Sequence, residues 1–133
     1  MSNPTSSTPD DRIPVIVGVG EIVDRPKEIA AGLEPMDLLV ESLRRAEAAS
    51  GGKLLGEIGS LDIVNFLSWR YRDPEKLLSE RLGIKPAHAY YGPVGGESPI
   101  RYLHEAAQRI ARRQPATRRR ATSSAISSAR ASA

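Results

Sequence analysis

The residues best placed to do chemistry sit in one turn, Val94-Gly95-Gly96-Glu97-Ser98-Pro99. Paired glycines let a ligand approach the backbone closely, and the free amides that open a following helix attract an anionic group. Ser98 adds a hydroxyl, which becomes a nucleophile only with a base in hydrogen-bond reach. The chain offers two imidazoles, His88 and His104, the second two turns further along the same helix. Ser98 therefore reads more strongly as a helix cap that satisfies orphan amides than as a nucleophile. Both histidines read as surface or hydrogen-bonded groups ahead of catalytic bases. A glycine-rich turn before a helix is a weak signal alone and equally suits a plain helix start. The chain has no cysteine, which excludes disulfides, thiolate metal sites and a cysteine nucleophile. No metal site and no cofactor is expected.

At 133 residues, 40% hydrophobic and 26% charged, the chain can bury one modest core. No apolar run approaches the roughly 20 residues that span a bilayer, and the start lacks the basic and apolar regions of a signal peptide. A cytoplasmic protein with no membrane contact is the expectation. The net charge of +3 invites a nucleic-acid reading. However, Arg118, Arg119, Arg120 and Arg130 lie in a tail without acidic residues, and setting these four aside leaves 15 basic against 16 acidic groups. The body is no polycation, and it lacks the interleaved basic and stacking aromatic residues of a nucleic-acid surface.

The elements that must position the turn follow an alternating pattern. Residues 1–12, rich in Ser, Thr, Pro and Asp, read as a disordered lead-in. Ile13-Pro14-Val15-Ile16-Val17-Gly18-Val19-Gly20 is β-branched and nearly continuously apolar, which predicts a central strand covered on both faces. Glu34-Pro35 opens a helix whose Met36, Leu39, Val40, Leu43 and Ala46 share a face, with Glu41 and Arg45 paired outside and Gly51-Gly52 at its end. Leu61–Leu67 reads as a second strand. Asp73-Pro74 reads as an N-cap and first turn of a short helix stopped by Gly83, and Ala87–Tyr91 as a third strand. Ser98-Pro99 starts the last helix, with Ile100, Leu103, Ala107, Ile110 and Ala111 as its apolar stripe. Strand and helix in alternation predict an α/β fold.

Taken in order and spacing, these segments resemble the N-terminal half of a thiolase, in the acetyl-CoA acetyltransferase branch that is related to sterol-carrier-protein thiolases. The resemblance spans roughly Arg12 to Arg112. It rests on the opening strand ending Gly-Val-Gly-Glu, on Pro35-Met36-Asp37-Leu38, on Phe66-Leu67-Ser68-Trp69-Arg70-Tyr71, and above all on Val94–Pro99 with its helix ending Gln108-Arg109-Ile110-Ala111. It implies an incomplete thiolase-like half, a mixed sheet with helices on both faces. It also implies a parent that transfers acyl groups from coenzyme A thioesters as substrates and forms a homodimer through this half. In that family a cysteine at the opening of this helix is held as thiolate by the helix dipole and attacks the thioester. Here its position falls on Gly96, so the nucleophile is missing, and the family's remaining catalytic groups belong to a later half. Gly95, Gly96 and Ser98 remain the candidate substrate-binding residues, through amides that could bind a thioester carbonyl.

The resemblance stops after residues 13–113. Where a thiolase enters a Val-rich central strand, residues 114–133 hold almost only Ala, Ser, Thr and Arg. A GC-rich gene read out of frame gives such a composition, so this stretch reads as a disordered tail and a possible frameshift product. The competing reading is a small protein that uses the basic tail on nucleic acid or another partner. Without a central strand over the last helix, the stripe from residue 100 to 111 is expected to be partly exposed.

Overall fold

The computed structural model describes residues 12–112 and the backbone of residues 123–127. Among the described residues, three α-helices and three strands follow one another: α1 (Pro35–Ser50), β1 (Ile58–Ile63), α2 (Pro74–Leu82), β2 (His88–Tyr91), α3 (Ser98–Arg112) and β3 (Ser123–Ser127). The sheet has the order β2-β1-β3, and both pairings are parallel. β1 alternates Ser60 and Asp62 with Leu61 and Ile63, so its two faces differ in polarity.

The apolar face carries the core. Met36, Leu39, Val40 and Leu43 of α1 pack with Leu61, Ile63, Phe66, Leu78 and Ile84. Each buried aliphatic side chain removes enough surface from water to contribute ~1.5–3 kcal/mol. Phe66 lies edge-on to Tyr71, with ring centroids 5.6 Å apart. The Tyr71 hydroxyl accepts from the Met36 amide at 3.2 Å and donates to Glu34 at 3.1 Å, which pins the start of α1. Burial, opposed by the Met36 amide and reinforced by Glu34, pushes the Tyr71 phenol above its usual range. Glu41 and Arg45 form the expected pair at 2.8 Å on the outer face of α1, and Gly51 ends the helix in the left-handed conformation.

Four sequence expectations need correction. Ile13–Gly20 has no regular secondary structure and joins no strand ladder among the described residues, and Val15, Ile16, Val17 and Val19 are 58–72% exposed. A β-branched run favours a strand only where a neighbouring edge is free, and β3 occupies that edge of β1. The segment instead lies along α1, where a side chain on Gly20 or Gly18 would collide with the carbonyl oxygen of Ser42 or Ala46. The second strand runs over Ile58–Ile63 and stops before Asn65, whose side-chain amide donates to the Gly92 carbonyl at 2.9 Å. Asp73 adopts φ 51°, and its side chain makes no cap bond. The tail contributes β3, since backbone donors and acceptors on the edge of β1 accept a strand of almost any sequence. The rest of the tail and residues 1–11 lie outside the described residues.

Candidate functional site

The turn between β2 and α3 is positioned by its two ends. At the β2 end, the Tyr91 hydroxyl donates to Asn65 Oδ1 at 2.9 Å while Asn65 holds the Gly92 carbonyl, so the exits of β1 and β2 are tied together. Tyr102 of α3 lies against Gly92 so closely that a Cβ there would fall 1.6 Å from its hydroxyl. At the α3 end, the Ser98 amide donates to Gly95 O at 3.1 Å and the Arg101 amide to Glu97 O at 3.0 Å. The helix begins at Ser98 itself.

Gly95, Gly96 and Ser98 are thereby brought together at the start of α3, but in different settings. A Cβ on Gly95 would crowd the Glu97 carboxylate at 2.9 Å and Ser98 Oγ at 3.0 Å. Gly96 faces open space, with no heavy atom within 4 Å of a Cβ built there. Ser98 is fully buried, and its hydroxyl has no hydrogen-bond partner among the described residues, so it neither caps the helix through its side chain nor meets a base there. His104 lies on the exposed side of α3, 2.6 Å from the Gln108 amide nitrogen. His88 lies at the start of β2, with Nε2 3.5 Å from Asp62 Oδ1.

The constellation that sequence reasoning missed is centred on Asp62. This carboxylate is 1% exposed on the polar face of the middle strand. Arg109 of α3 donates to Asp62 Oδ2 at 2.7 Å and to Ser60 Oγ at 3.3 Å, and Ser60 Oγ donates to Asp62 Oδ2 at 3.3 Å. The pair ties α3 to β1 across the polar face. A cleft of about 390 Å³ opens beside it, lined by Asp62, His88, Tyr90, Arg101 and Arg109 among others. The signal was available: a carboxylate between Leu61 and Ile63 of a strand covered on both sides demands a cationic or donor partner. Among the described residues no group of three or more His, Cys, Asp or Glu could hold a metal ion.

A second concavity, about 590 Å³, is apolar and lies between Pro14–Gly20, the Ser42, Leu43 and Ala46 side of α1, and Ile100, Leu103 and Ile110 of α3. The buried face of α3 is Ser98, Tyr102 and Ala106, whereas Ile100 is 72% and Leu103 43% exposed in this groove. The apolar stripe read from the sequence is thus the groove wall, and Ile100 and Leu103 are partly exposed there even though β3 adds a strand to the sheet. No helix among the described residues is long and apolar enough to cross a membrane.

No family model and no curated protein matches the chain. Among solved structures it is similar to a monomeric SCP2-thiolase like protein type 1 from Mycobacterium smegmatis, with a TM-score of 0.67 and 27% identity over 77% of this chain. The match covers 22% of that protein, so the chain spans about a fifth of its neighbour's length. The α/β fold of this chain, with helices on both faces of a parallel sheet, is thiolase-like.

Proposed function

We propose that this chain is a scaffold of the thiolase-like acyl-CoA acyltransferase type, of the acetyl-CoA acetyltransferase kind, that does not itself perform the thiol chemistry. The observation that carries this reading is Gly96: it stands at the helix opening where the resemblance puts the nucleophile, it has no side chain, and the space beside it is open. The similarity to an SCP2-thiolase like protein supports the scaffold. In this reading coenzyme A thioesters are ligands rather than cofactors, and the amides of the Gly95-Gly96 turn face the thioester carbonyl. Ser98 contributes packing and no chemistry, because its hydroxyl is buried without a base.

The purified chain should show no acetoacetyl-CoA thiolysis and no acetyl-CoA condensation above a heat-killed control. Gly96→Cys should fold normally, with its melting temperature within about 2 °C, because the added side chain enters open space. It should remain inactive, since a lone thiolate lacks the acid and base that complete the cycle. Turnover that survives repurification, in either form, would overturn the non-catalytic reading. Saturable acetyl-CoA binding that is lost in Gly95→Val, which crowds Glu97 and Ser98, would support the ligand, and no binding at millimolar acetyl-CoA would remove it.

A further inference from the structure

Two segments of this chain suit the same edge of β1, and only one can hold it. β3 holds it here, from Ile58↔Ser123 to Ile63↔Ser127, with a register shift between Ile58 and Ser60. Its sequence, Ser-Ser-Ala-Ile-Ser, has a single β-branched aliphatic residue. Ile13–Gly20 has the opposite balance, with two isoleucines, three valines and no charge, yet it joins no ladder among the described residues. Val15, Ile16 and Val17 are each at least 58% exposed, so these apolar side chains stand largely in water. Such a run matches a strand position with cover on both faces. It also lies within reach, because it runs along α1 and faces α3 across the groove, while β3 touches the same two helices.

We propose that Ile13–Gly20 and Ser123–Ser127 exchange as the neighbour of β1, so that the tail is a displaceable strand and the first segment enters the sheet when the tail leaves. The exchange is also a switch for the apolar groove. Pro14–Gly20 forms one groove wall while β3 occupies the edge, so its move into the sheet would also take that wall away.

Hydrogen exchange of the full chain, read on peptides covering residues 13–20 and 58–63, tests this. Ala125→Pro with Ile126→Pro removes two adjacent backbone donors, which cannot then serve a ladder. In that variant the amides of 13–20 should slow about ten-fold or more, while those of 58–63 stay within roughly two-fold of the parent chain. Adding Val17→Pro should abolish the slowing, and the milder Ile126→Gly should show a smaller version of it. Unchanged exchange at 13–20 would overturn the proposal, whether or not 58–63 loses protection. Global unfolding of the double-proline chain would overturn it too, because a competent replacement strand keeps the sheet.

Discussion

At the scale of single residues, the buried Asp62 is the group whose surroundings matter most. Its 1% exposure means that its charge is supported by protein groups, chiefly Arg109 at 2.7 Å. Arg109→Met removes that support and leaves a buried carboxylate with a serine hydroxyl and a distant imidazole. The expected loss is roughly 2–3 kcal/mol, below the usual cost of unpairing a buried charge because Arg109 is itself 38% exposed. The double variant with Asp62→Asn should recover part of it, which urea unfolding of the four forms measures. Tyr71 makes a second residue-scale prediction. Its phenol titrates above the usual value in the folded chain, so folding favours the protonated form. That contribution is complete below about pH 10 and is lost as pH rises through the folded value. The parent chain should therefore lose stability above pH 10 more steeply than Tyr71→Phe, and equal alkaline slopes in urea midpoints would contradict this.

Among the elements, α3 has two faces with contrasting sensitivity. Tyr102 is 1% exposed and its hydroxyl has no partner among the described residues, whereas Leu103, one residue on, is 43% exposed. Tyr102→Ala should cost about 3–4 kcal/mol through loss of a buried ring. Tyr102→Phe, which deletes only the orphan hydroxyl, should be neutral or stabilising by about 1 kcal/mol. Leu103→Glu should change stability by no more than about 0.5 kcal/mol, because the position faces the open groove. Thermal unfolding of the three variants checks the order. A large loss in Leu103→Glu would mean that the groove is closed in solution.

At the scale of the whole molecule, a contiguous exposed apolar surface among the described residues lies where Ile13–Gly20, the flank of α1 and the outer face of α3 meet. A contiguous patch of that kind favours association with other apolar surfaces. Light scattering of the full chain should therefore rise with concentration. Ile100→Glu combined with Leu103→Glu should reduce it at unchanged stability, since both side chains already face solvent. Scattering that is identical in parent and variant would place the association elsewhere.

Local chemistry in the sequence determined most of the helices and their ends. Pro35 and Pro74 open α1 and α2, Gly51 and Gly83 close them in the left-handed conformation, and the periodicity of Met36, Leu39, Val40 and Leu43 predicts the face that packs. The lack of any cysteine was equally legible and by itself excludes a cysteine nucleophile within these 133 residues. Tertiary structure alone decided the rest. Ile13–Gly20 has the composition of a central strand, but a strand exists only through a neighbour, and the neighbour's place was taken by a segment more than 100 residues away whose composition gives little sign of it. On α3, Ile100 and Leu103 mark an apolar stripe, yet periodicity cannot say which side a partner covers, and Tyr102 and Ala106 became the buried side. Ser60, Asp62, His88 and Arg109 meet only because parallel pairing sets His88 beside Ser60 and the helix then crosses above them. Contacts between residues 47 positions apart are fixed by chain topology, which no local pattern encodes.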